Sequence, residues 1–145
     1  MSNFEIKTHK IGRIYSKPHF FILNKGLNSG KPMHKPCPNC FVITAATEEQ
    51  IQTLFYMCLS LKIGRFFEYY LKGSVIPFIT ISDCSKLLKN AYYYNSDNVE
   101  ALQKHIQIIS HIQEREEILK QNLEAVKKLK VAFIRSHFKD KRNQV

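Results

Sequence analysis

Apolar and polar positions along this chain follow two regimes. Up to about residue 97 they come in short blocks parted by turn-forming residues, and beyond it one three- and four-residue repeat runs without interruption. In the first regime Phe4, Ile6, Ile11 and Ile14 alternate loosely with polar neighbours until Pro18, predicting one or two short strands. His19-Phe-Phe-Ile-Leu-Asn24 and Phe41-Val-Ile-Thr44 are β-rich and predict core strands. Thr47-Glu-Glu-Gln50 is a capping box, and Ile51, Leu54, Phe55, Cys58 and Leu59 follow it in one helical stripe that Gly64 closes. Residues 65–72 predict a short second helix carrying Phe66, Phe67, Tyr70 and Leu71. Val75, Ile79 and Ile81 alternate with Ile76, Phe78 and Thr80, which predicts an inner strand at about 78–82, just past Pro77. Ser82-Asp-Cys-Ser-Lys-Leu-Leu88 reads as a strand end or short helix, and Asn90-Ala-Tyr-Tyr-Tyr-Asn-Ser-Asp97 as a strand and a turn.

The second regime begins near Asn98. Leu102, Ile106, Ile109 and Ile112, then Leu119, Leu123, Val126, Leu129 and Phe133, recur among charged residues, and no Gly or Pro intervenes before Phe138. That predicts one helix of about forty residues, about 60 Å long at about 1.5 Å per residue. A domain of about 100 residues cannot cover such a stripe, so its far half requires a partner. The simplest is a homodimer through residues 102–138, antiparallel or parallel. With 145 residues and 44% hydrophobic content, one globular unit is expected. The fold class is therefore α+β: a small mixed sheet with short helices in residues 1–97, then one long C-terminal helix with a basic tail in 98–145.

Charge sharpens this division. The formal net charge is +10, and it sits at the two ends. Residues 1–46 hold seven Lys or Arg against Glu5 alone, residues 47–97 are balanced, and the excess in the last part follows Lys127. Clustered cations are the footprint of a polyanion partner, because neutralised phosphates release counterions. The bland alternative is solubility. Between two predicted strands lies Lys25-Gly-Leu-Asn-Ser-Gly-Lys-Pro-Met-His-Lys-Pro-Cys-Pro-Asn-Cys40, too rich in Gly and Pro for regular structure and long enough to be functional. Lys25, Lys31 and Lys35 are expected to contact DNA phosphates, with Asn24 and Asn28 as readers of base edges. Gly26-Leu-Asn-Ser-Gly-Lys-Pro32 is one residue short of a phosphate loop and has Pro32 where Ser or Thr would bind magnesium. Cys37-Pro-Asn-Cys40 has zinc-knuckle spacing but no second pair, so it reads as a Pro-rich turn ending in a buried cysteine. Neither cofactor nor metal is expected, and no nucleophile–base pair or carboxylate pair marks an active site. Without an apolar run of about twenty residues or a signal-like start, the expected location is the cytoplasm, with no membrane partner.

The order of parts resembles one half of a type I restriction–modification specificity subunit. The matching residues are Tyr69, Tyr70, Leu71, Gly73, Ser74, Ile76, Phe78, Ile79, Ser82 and Asp83, followed by Leu102, Gln103, Ile108 and the helix of residues 119–138. The resemblance covers about residues 40–138. It implies a target recognition domain with a spacer helix, two copies reading a two-part DNA site, and methyltransferase or other assembly subunits supplying the chemistry. His105 stands near the usual Gln of that family, Ala91-Tyr-Tyr-Tyr-Asn95 replaces a proline-rich strand, and the N-terminal part is shorter. The base-reading loops therefore do not transfer residue by residue. The chain also resembles small uncharacterised bacterial proteins with Asn24-Lys-Gly-Leu-Asn-Ser-Gly-Lys-Pro32 and Pro36-Cys-Pro-Asn-Cys-Phe41. A protein-interaction role for the long helix, as an adaptor of a mobile element, is the alternative to DNA binding.

Overall fold

Short blocks of aromatic and β-branched residues form the sheet because they have partners to pair with and apolar groups to bury on both faces. The computed structural model describes residues 4–142, with side chains as far as Phe138. Strands β1 (Phe4–Thr8), β2 (His19–Leu23), β3 (Pro32–Met33) and β4 (Cys40–Ala45) make one four-stranded sheet in the order β1-β4-β2-β3. The fold is α+β, but every pairing is antiparallel, so the sheet is not mixed. Only β2 and β3 are joined as neighbours; the chain from β1 to β2 passes β4, and the chain from β3 to β4 passes β2.

Period two then sorts the side chains. Phe4, Phe20, Ile22, Phe41, Ile43 and Ala45 face the helices, whereas Phe21, Cys40 and Val42 face the other way, beneath Tyr15 and Met33. Both faces are covered over residues 40–43, so β4 reads there as an apolar run, which the half-buried Thr44 then interrupts. Helix α1 (Glu48–Ile63) starts where Thr47 accepts the Gln50 amide at 3.2 Å and ends as the Gly64 amide donates to the Ser60 carbonyl at 2.9 Å. It buries Ile51, Leu54, Met57 and Cys58, and Phe55 meets Phe20 edge to face at 5.4 Å.

The stretch after α1 departs from expectation. Residues 65–72 form only a 3₁₀ turn at Glu68–Tyr70, with Phe67 fully buried ahead of it. The expected strand at 78–82 is absent. Pro77 has no amide to donate, Val75 and Ile76 are exposed, and Phe78 makes isolated bridges to Lys25 and Lys72. Thr80 instead accepts the Asp83 amide at 3.2 Å and caps helix α2 (Ile81–Ser96). Residues 90–97, expected as strand and turn, belong to the same helix. Cys84, Leu87, Leu88, Ala91 and Tyr92 recur at helical spacing and pack into the core, with Tyr92 edge-on to Phe4 at 5.7 Å. That stripe outweighs the β propensity of three tyrosines.

Helix α3 (Val99–Arg142) is continuous, as the repeat implies, and the Asn98 side chain accepts the Ala101 amide at 3.1 Å at its start. The chain divides into compact units Met1–Gln107 and Ile108–Val145, so the first turns of α3 belong to the first unit. There the His105 ring hydrogen-bonds the Ser60 hydroxyl at 3.0 Å. In the second unit the apolar positions Leu119, Leu123, Val126, Leu129, Phe133 and Phe138 are exposed. The basic tail side chains of Lys139, Lys141 and Arg142 lie outside the described residues. Among the described residues no helix is long and apolar enough to cross a membrane.

Candidate nucleic-acid interface

Glycine and serine shape the loop between β2 and β3. Gly26 and Gly30 adopt positive φ, and a Cβ at Gly30 would run into the Phe67 ring. Ser29 is fully buried and its hydroxyl donates to the Gly26 carbonyl at 2.6 Å. The loop is also tied to distant chain. The Gly26 amide donates to the Pro77 carbonyl at 2.7 Å, the Ile79 amide to the Asn24 carbonyl at 3.0 Å, and the Asn24 amide to the Asn39 carbonyl at 3.0 Å. Lys62 Nζ donates to the Leu27 carbonyl at 3.4 Å, and the Cys58 thiol to that of Gly30 at 3.4 Å. A segment without regular structure is thus fixed in one conformation.

That framework leaves the charged ends in water. Lys25, Asn28, Lys31 and Lys35 are exposed, and Asn24 is half-buried at the loop's root with its backbone amide and carbonyl both engaged. Among the described residues Lys25, Lys31 and Lys35 have no carboxylate within ion-pair distance. The bridges Lys25↔Phe78 and Lys72↔Phe78 set Phe78 between two lysines, and partners directly opposite in a ladder project to one side. Phe78 keeps 42% of its surface exposed, and a Cβ on Gly73 would stand 3.3 Å from its ring. Lys72 differs from Lys25 in having a partner, Asp83 at 3.3 Å. The Asp83 carboxyl is held below its ordinary value, first by the Thr80 side-chain hydrogen bond and then by Lys72. Sequence pattern places Lys25, Lys31 and Lys35 in a loop. It does not bring Lys72 and Phe78 beside Lys25, because that pairing joins positions far apart in the chain.

The other two motifs of this region are spent on structure. The amides of Gly26, Ser29, Gly30 and Lys31 all donate to protein carbonyls, so they cannot cradle a phosphate, and a strand rather than a helix follows Lys31. The Cys40 thiol donates to the Cys37 carbonyl at 3.0 Å inside the Cys37-Pro-Asn-Cys40 turn, and burial pushes its pKa up to about 11. Burial also raises Cys58 well above the ordinary thiol value and Cys84 to about 12, so these are thiols rather than thiolates at neutral pH. Among the described residues no three His, Cys, Asp or Glu side chains are grouped to hold a metal ion.

Residues 6–136 match the model of a family described as a family of unknown function (DUF6943). No curated protein and no solved structure matches the chain.

Proposed function

The chain belongs to this family of unknown function, and we propose that it is a cytoplasmic DNA-binding module without catalysis of its own, paired with a second copy through α3. One observation carries the reading: the pinned loop of residues 24–31 holds Lys25, Asn28 and Lys31 in water, with no carboxylate among the described residues opposing either lysine. A loop already fixed loses little conformational entropy on binding, and its free cations release phosphate counterions. Lys25, Lys31 and Lys35 take phosphates, while Asn28, with Asn24 at the loop's root, reaches base edges. Methylation or cleavage then comes from other subunits, as the resemblance to a specificity half-subunit implies. A mobility shift on random duplexes across a salt series tests this. Lys31→Glu with Lys35→Glu should weaken binding on every sequence and lower the salt slope by about 2. Unchanged affinity and slope would sink the assignment.

A second reading rests on a different observation, the exposed apolar row of α3 from Leu119 to Phe138. In it the protein is an adaptor of a mobile element that binds another protein through α3 and no nucleic acid. Salt-independent capture of a protein partner, with no duplex shifted even at low salt, would select it.

A further inference from the structure

We infer that the outer face of the sheet carries a separate site for a small phosphate monoester, held by Arg13 and Lys17. The inference does not rest on the DNA-binding reading. β1 and β4 pair Glu5 with Thr44 and Lys7 with Val42, and these four residues floor a groove of about 220 Å³ walled by residues 13–17. The wall is anchored. Tyr15 shares a hydrogen bond with His9 Nδ1 at 2.9 Å, and its ring lies 6.1 Å from Phe21 and 5.3 Å from His19. His19 Nδ1–H donates to the Lys17 carbonyl at 2.8 Å, and the Ala45 amide to that of Pro18 at 3.1 Å. The chain that walls the groove is therefore in place before a ligand binds, with the Arg13 and Lys17 side chains exposed above it.

Its charge states what it takes. Glu5 is the one carboxylate in the lining and is engaged by Lys7 at 3.0 Å. Lys7, first by its hydrogen bond and then by its charge, and Lys17 more weakly, hold the Glu5 carboxyl below its ordinary value. Arg13 and Lys17 have no carboxylate within ion-pair distance among the described residues, which leaves two uncompensated cations on one groove. A phosphate monoester brings close to two negative charges and three acceptor oxygens, which suits a guanidinium fork, an ammonium and the hydroxyls of Ser16 and Thr44. A carboxylate would answer only one of the cations. Pockets for whole drug-sized ligands run from about 300 to 1,000 Å³, so this groove takes the phosphorylated end of its ligand.

Amide NMR of the full chain, titrated at constant ionic strength with inorganic phosphate and in parallel with acetate, tests the site. Phosphate should give saturable shifts at residues 5–8, 13–17 and 42–44, at least about fivefold tighter than acetate, while Arg13→Gln with Lys17→Gln loses them and keeps the wild-type melting temperature. Glycerol phosphate against a 5′-phosphorylated dinucleotide separates a free metabolite from a strand end: equal shifts support the small monoester, and shifts confined to the dinucleotide overturn it. Shifts spread over all surface lysines, equal shifts with acetate, or shifts that survive in the double variant would also overturn the proposal.

Discussion

The compact unit and the far part of α3 follow the same rule of apolar spacing and meet opposite fates. Leu54 and Leu88 stand at helical spacing in α1 and α2 and are fully buried, whereas Leu119 and Phe133 stand at the same spacing in α3 and keep 66% and 74% of their surface exposed. Periodicity decides that a helix forms; a facing surface decides whether its stripe is worth anything. Each buried Leu or Phe contributes about 1.5–3 kcal/mol. Among the described residues of its far part, pairs such as Glu116–Lys120 and Glu124–Lys127 are exposed and screened by water, so they contribute far less. The difference is the driving force for a partner.

The contrast breaks most visibly under truncation of one phenylalanine in each region. All seven tyrosines lie between Tyr15 and Tyr94, and there is no tryptophan, so tyrosine fluorescence reports the compact unit alone. Phe67→Ala opens a hole between the loop and the core and should cost about 3–5 kcal/mol in urea unfolding followed by that signal. Phe133→Ala should leave the same transition within about 0.5 kcal/mol. A large effect of Phe133→Ala would mean that the two regions unfold as one.

What the sequence makes legible divides along the same line. The Thr47 box with its stripe, the blocks at His19 and Phe41, and the uninterrupted repeat of α3 each carry a local cause, and all four elements form. Residues 75–82 carried conflicting local signals. Period-two alternation favoured a strand, but Thr80, three residues ahead of Asp83, was a cap in waiting, and the stripe from Cys84 to Tyr92 was readable behind it. β3, two residues on an edge, is too short to show a period. The candidate site is legible only as composition. Three lysines in a Gly-rich loop can be read directly, but the ties that fix the loop run to Asn39, Lys62, Pro77 and Ile79, and no local pattern encodes them.

A second copy laid against the row of α3 sharpens the comparison. Glu116 and Lys130 lie seven residues on either side of Leu123, within the same stripe. Antiparallel pairing brings each near its opposite, while parallel pairing stacks like charges in the seam. Leu123→Glu should abolish self-association in light scattering with no change in the tyrosine transition. Glu116→Lys and Lys130→Glu should each weaken association about fivefold, and the double exchange should restore it. Single variants that associate as the wild type does would favour another partner or the parallel arrangement, where each exchange only replaces one like-charge pair by another.

The smallest effect compares two acidic residues. Asp83 joins α2 to the chain at Lys72, a tertiary tie, whereas Glu116 pairs with Lys120 inside its own helix. The folded pKa of Asp83 lies below the ordinary 3.8. Its contribution is therefore present above the unfolded value and lost as pH falls through the folded one. Urea unfolding followed by tyrosine fluorescence should show Asp83→Asn slightly less stable than wild type at pH 6. The two curves should converge as the pH drops below about 3.8, the range over which the unfolded and then the folded carboxyl take up the proton. Glu116→Gln should leave the tyrosine transition unmoved at every pH, because its partner and its pair lie outside what that signal reports. If Asp83→Asn matched wild type at pH 6 and shared its acid limb, the Lys72 contact would be no tie at all, and α2 would be held by the Thr80 cap and its buried stripe alone.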